Sequence, residues 1–242
     1  MAARTNPIPS VWAREPREPE QPALSRAAIV REAIVMLDAD GAEALSMRKL
    51  GARLNAGATS LYRHVATKDE LMELATDEVF GEIAVPAVRP GADWRDPVGE
   101  AAAAFRDTAL RHPWLASVLG QAGLAYLGPN LMAFSEQLAA LFDAAGFPEP
   151  SRAIETVLFY VIGVGTTEAA WLTTVARSGE SEQEFVARLL PAAQQAHADY
   201  DHLAGGVPQE LADPAAAREE KFRYGLEVVL DGLAVRLGGG RA

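Results

Sequence analysis

No cysteine occurs in the 242 residues. Disulfides, thiolate metal centres and cysteine redox chemistry are therefore excluded. Histidine is scarce. The four are His64, His112, His197 and His202, and no two stand four apart, so a helical metal-binding pair is missing and no metal or cofactor is expected. No glycine-rich loop is followed by the lysine a phosphate site requires. Gly163-Val164-Gly165 has no preceding strand and fails the dinucleotide spacing. No Ser/His/Asp arrangement can be identified. An enzyme is accordingly the weakest reading. No stretch of about 18 apolar residues runs without a charge, so no transmembrane helix is expected. The first residues carry Arg4, Arg14 and Arg17, but Pro7, Pro9, Pro16 and Pro19 interrupt them and no apolar run follows, unlike a signal peptide. The expectation is a soluble, cytoplasmic protein with no membrane partner.

Acidic residues are missing from one segment in particular. The chain as a whole has a net charge of −11, which argues against nucleic acid. Yet Ser46 to Lys68 contains Arg48, Lys49, Arg53, Arg63 and Lys68 and no carboxylate. Through residue 70 there are ten basic and nine acidic residues, so the remainder carries −12. Phosphate binding needs local positive potential, not a basic whole protein. On charge alone, a solvated helix face is the better reading of such a run.

The pattern along the chain is helical throughout, and the expected class is all-α. Residues 1–23, rich in proline and charge, form a disordered or extended arm. Ser25 caps a helix to about Asp40, with Ile29, Ala33, Met36 and Leu37 on one face, and Gly41 stops it. Ser46 caps a short helix through Leu54, and a third helix covers about Thr59 to Val65. Thr67 and Glu70 form a capping box for a fourth, to about Ile83. Pro86, Pro90, Gly91 and Pro97 mark a boundary, giving domains at 24–85 and 86–242. Further helices are expected at about 94–111, 114–126, 129–145, 151–177, 181–197 and 214–237, with a loop at 198–213.

The spacing within 46–65 narrows the choice. Gly51 sits where a small side chain admits a neighbouring helix. Asn55, four residues on, suits a left-handed turn. Leu61, six further, points back into the centre. This is helix-turn-helix spacing, which lays its second helix in the major groove of double-stranded DNA. The exposed residues of that helix (Thr59, Ser60, Tyr62, Arg63 and His64) are all polar and can donate to phosphates or base edges. Arg48, in the first turn of its helix, opposes the helix dipole, which makes more sense beside a DNA backbone.

Leu45-Ser46-Met47-Arg48-Lys49-Leu50, Thr59-Ser60-Leu61-Tyr62-Arg63-His64-Val65 and Lys68-Asp69-Glu70-Leu71 resemble the DNA-binding domain of tetracycline-repressor (TetR) family regulators. Phe222-Arg223-Tyr224-Gly225-Leu226-Glu227 and Leu230-Asp231-Gly232-Leu233 are similar to the last helix of that family's tetracycline-repressor-like regulatory domain. The resemblance implies a homodimeric transcription regulator on a near-palindromic operator, usually a repressor released by a small-molecule effector. It implies DNA contacts at Arg48, Ala58, Thr59, Ser60, Tyr62, His64 and Lys68. Tyr62 and His64 would grip phosphates, while Arg48 and 58–60 would read bases. Ala58 departs from the polar residue of the tetracycline repressor, so the operator should differ. That repressor's drug–magnesium site has no secure histidine match here.

For the second domain, Val157, Val161, Phe222, Leu226, Val229, Leu230 and Leu233 form apolar stripes that fit a four-helix dimer interface, or an ordinary core. Gly225 and Gly232, inside the last helix, suggest close approach of a partner helix. Trp114, Tyr126, Met132, Phe134, Phe159, Thr167 and Trp171 are the candidate ligand-binding residues, with plain core packing the alternative for each aromatic. A dimeric DNA-binding regulator without an effector remains a second reading.

Overall fold

The computed structural model describes residues 24–88, 91, 93–122, 127–198, 200, 202 and 213–239. The expected arm at 1–23 and Tyr126 lie outside the described residues. Within them all helices except one 3-10 turn at Ala42–Ala44 are α-helices, and no strand occurs. They are α1 (Arg26–Asp40), α2 (Met47–Arg53), α3 (Ala58–Leu61), α4 (Lys68–Phe80), α5 (Arg95–Arg111), α6 (Trp114–Ala122), α7 (Pro129–Ala144), α8 (Pro150–Ser178), α9 (Glu182–His197) and α10 (Pro214–Gly239).

Side-chain caps at the preceding residue set five of the ten described α-helix starts. Ser25, Ser46 and Thr67 accept from the backbone N–H groups of Ala28, Lys49 and Glu70 at 3.2, 3.2 and 2.9 Å. Ser181 and Glu184 close a full capping box. Asp213 accepts from Ala216, with Pro214 in the first turn, where a missing N–H costs nothing. Each cap satisfies a donor that the helix itself leaves unpaired. Gly41, at φ 78°, ends α1 in a conformation open to glycine.

The head comprises α1 to α4. Ile29, Ala33, Leu37, Leu50, Leu61, Leu71 and Ala75 are buried in its centre. The 29-residue α8 is the central element of the body and packs on α5, α6, α7 and α10. By length and composition it could cross a membrane, against the expectation from its interrupted apolar runs. In the fold it is a packing helix: Val157, Val161, Gly165 and Ala169 are buried against its neighbours.

Head and body share one continuous core. Helix α4 packs on α1 in the head and on α7 in the body. A carboxylate reinforces the second contact. Asp77, on α4, accepts from the backbone N–H groups of Asn130 and Leu131 at 2.9 and 3.0 Å. It thereby caps α7 across a long sequence separation. Gly128 permits the approach, because a Cβ there would overlap the Asp77 carboxylate.

Candidate nucleic-acid interface and effector cavity

The turn between α2 and α3 is built by three residues. A Cβ on Gly51 would lie 2.7 Å from the Ala56 carbonyl oxygen and 3.4 Å from Leu61 Cδ1, so only glycine fits without a shift. Asn55 takes φ 50° and is the only non-glycine residue at positive φ among the described residues. Leu61 is fully buried. The spacing that suggested a helix-turn-helix therefore has its physical cause in these contacts.

Helix α3 is shorter than expected, four residues followed by a turn through His64. Gly57 precedes it and supplies no side-chain cap. Ala58, Thr59 and Tyr62 are exposed, and Ser60 and His64 are half-buried. Arg48 is exposed on α2. Arg26 donates from Nε to the His64 carbonyl at 3.2 Å, fixing the end of the α3 turn to α1. Lys68 is exposed, but its Nζ donates to the Ala42 carbonyl at 3.1 Å, so it is held against the 3-10 turn. The seven residues expected to meet DNA therefore lie on α2, α3 and its following turn, and the start of α4. Arg48, Lys49 and Arg63 are exposed and make no ion pair among the described residues. Arg53, by contrast, is paired with Glu32.

The body departs from several sequence expectations. Val157, Val161, Phe222, Leu226, Leu230 and Leu233 are buried within this chain, and Val229 is half-buried. The stripe packs α8 and α10 on their own chain, which helical periodicity cannot tell from a subunit contact. Gly225 makes room for the ring of Tyr160 in the same chain, whose hydroxyl donates to the Phe222 carbonyl at 2.7 Å. Burial pushes the Tyr160 phenol above its ordinary pKa. What α8 and α10 turn outward is a different set: Phe159, Tyr224, Val228 and Val235.

The expected ligand residues do not converge. Phe134 is buried against Phe80 and Phe105, with ring centroids 5.4 and 5.9 Å away, and is core. Trp114 is buried and donates its indole N–H to Asp38 at 2.7 Å. Phe159 is 63% exposed, so it is on an outer face rather than in a pocket. Met132 is also exposed. Thr167 and Trp171 do meet. They line a cavity of about 590 Å³ between α8, α9 and α10, with Val164, Val186, Pro214, Ala217 and Arg218. Its lining is mainly apolar, and Trp171 supplies a flat wall, packed edge-on against Phe185 at 5.3 Å.

A network that the sequence did not reveal braces this cavity. Arg106, 5% exposed, is gripped by both oxygens of Glu168 at 2.6 and 2.9 Å and also pairs with Glu219. Its guanidinium lies 4.7 Å from the Phe222 ring. Hydrogen bonding to Glu168, opposed by burial and aided by Glu219, holds Arg106 above its ordinary pKa. Glu182 accepts from Trp171 at 2.6 Å and pairs with Arg218, which lies 3.8 Å from Glu168. A paired arginine and glutamate 62 positions apart leave no local sequence signal.

Residues 86–237 match the family described as tetracyclin repressor-like, C-terminal domain. An HTH-type transcriptional regulator of Saccharopolyspora erythraea is 38% identical over 232 residues, which is 95% of this chain and 93% of that one. The HTH-type transcriptional repressor DrrR1 of Streptomyces coeruleorubidus is 30% identical over 228 residues, 92% of this chain and 82% of that one. The fold is similar to that of apo ActR from Streptomyces coelicolor, with TM-score 0.73 and 28% identity over 91% of this chain and 99% of that one. ActR in complex with actinorhodin gives TM-score 0.70 and 29% identity over 89% and 99%.

Proposed function

Because the chain belongs to the tetracycline-repressor family and is a DNA-binding regulator of transcription, we propose that it is a homodimeric repressor released from a near-palindromic operator by a small organic effector. Residues 24–85 form the reading head and 86–242 the effector-binding and dimerising body. It acts in the cytoplasm and performs no catalytic step. The observation that carries the reading is the exposed surface of α2 and α3, whose own residues include no carboxylate, set on a turn that only Gly51 and a left-handed residue at 55 allow.

Arg48, Ala58, Thr59 and Ser60 face the bases, while Tyr62, His64 and Lys68 hold phosphates. Two heads are needed, because helix-turn-helix proteins read half-sites one or more helical turns apart. The second copy docks on the outward face of α8 and α10, where Phe159, Tyr224 and Val228 are exposed. The effector enters the cavity walled by Trp171 and Thr167. Likeness to ActR, which has been solved with actinorhodin, supports an organic ligand. An effector acts only through its differential affinity for two states. Here the difference is a tilt of α4, which touches both head and body.

Selection of bound duplexes from random DNA tests the head. A near-palindromic consensus is expected, and recovery of no sequence preference would overturn the repressor reading. Melting the protein against a panel of small organic molecules tests the body, since a ligand of the native state raises apparent stability by mass action. The hit should lose its effect in Trp171→Ala and should lower operator affinity at fixed salt. A hit that stabilises the protein but leaves operator affinity unchanged would refute the inducer mechanism.

A further inference from the structure

His112 stands where three parts of the chain meet. It follows α5 in the body. Its Nδ1 lies 2.8 Å from Asp38 Oδ1, near the end of α1 in the head. Its Nε2 lies 3.2 Å from Glu82 Oε2, two residues past α4. The side chain is 10% exposed. The same two carboxylate oxygens take a second donor each. Trp114 donates its indole N–H to Asp38 Oδ1 at 2.7 Å, and Arg111 donates to Glu82 Oε2 at 3.0 Å. The charged groups facing the ring are thus Asp38 from α1, Glu82 from the end of α4 and Arg111 from α5.

A neutral imidazole carries one N–H and one lone pair. With a carboxylate oxygen at each nitrogen, the neutral ring would turn its lone pair towards an anion. Only the imidazolium donates at both ends, and such charge-assisted bonds are about twice as strong as neutral ones. We propose that His112 is a proton-dependent positioning residue, whose imidazolium ties the head, through Asp38 on α1 and through Glu82 just past α4, to the body. Loss of the proton releases one tie and lets the head move. The step from head position to operator affinity rests on the repressor reading above; the tie itself does not.

Glu82 agrees with this arrangement. Partial burial works to raise its carboxyl pKa, but hydrogen bonds from Arg111 and His112, with their charges, outweigh it and hold the group below its ordinary value. The double tie therefore exists above the range in which Glu82 takes a proton. It is lost when the ring gives up its proton, because one nitrogen then faces a carboxylate with a lone pair.

Two measurements on the full-length protein test this. With ¹⁵N-labelled histidine, the His112 ring should show two N–H groups at about pH 6. One N–H at that pH would overturn the tie. The second measurement is operator affinity by fluorescence anisotropy at fixed ionic strength from about pH 5.5 to about pH 8.5, in the wild type and in His112→Gln. Any pH effect at the DNA contacts themselves is common to both and drops out of the difference. The wild type should lose about tenfold more affinity across the range than the variant. Superimposed profiles with two ring N–H groups present would overturn the positioning role and leave the tie standing. Should His112→Gln melt far below the wild type, Glu82→Gln, which removes the negative charge facing Nε2, replaces it in the comparison. Failure of the wild type to bind any selected duplex would instead count against the repressor reading.

Discussion

Head and body use arginine in opposite ways. In the head, Arg48 and Arg63 are exposed, on a segment from which carboxylates are missing. In the body, Arg106 is buried with two carboxylates around it and an aromatic ring beneath it. The first arrangement leaves charge available to a partner that is not part of the fold. The second spends the charge inside the fold, where an unpaired ion would be costly. A basic residue is thus informative about function only once its partners are known.

The comparison predicts that arginine loss reads out as stability in the body and as affinity in the head. The largest effect is expected for Arg106→Met, which leaves the buried Glu168 with only the more distant Arg218, at 3.8 Å. It should cost about 3 kcal/mol in urea unfolding, and a loss below about 1 kcal/mol would break the contrast. Next, Tyr62→Ala combined with His64→Ala should weaken operator binding about a hundredfold, with a shallower salt dependence and little change in melting. Unaltered operator affinity in that double variant would sink the assignment of both residues. Gly51→Ala should cost the head about 1–3 kcal/mol, because the added methyl meets the backbone oxygen of Ala56 rather than a side chain that can move. Hydrogen exchange would place this loss in α2 and α3. The smallest effect concerns pH. The Glu82 carboxyl is held below its ordinary 4.5, so its contribution is present at neutral pH and fades as acid protonates it. Glu82→Gln should flatten that part of the melting profile.

How much the sequence disclosed differs between the same two regions. Head signals are local. Ser25, Ser46 and Thr67 cap the helices they were expected to cap, and Asn55 takes the positive φ its residue type suggested, whereas Gly41 ends α1 at positive φ but with ψ 171°, outside the left-handed helical region expected of it. Seven residues of α2 and four of α3 are governed by neighbours a few positions away. Body signals are not local. The apolar stripe at Phe222, Leu226, Leu230 and Leu233 was visible as a face, but its destination was not: the face turned inward, against the same chain. Among the aromatics, Phe134 became core and Phe159 became surface, although each was a plausible pocket residue by type. The pairings Arg106–Glu168 and His112–Asp38 join residues 62 and 74 positions apart, a distance over which periodicity carries no information.

The Asp77 cap on α7 has a consequence for time rather than for energy. The amide protons of Asn130 and Leu131 are bonded to a side chain of α4, so they can exchange with solvent only when α4 draws away or the first turn of α7 frays. Other first-turn amides of a helix are free to exchange at the rate of local fraying. These two instead keep a clock on the linking helix. Their exchange lifetimes, followed with and without bound duplex, set an upper limit on how often α4 parts from α7, with no label attached to either.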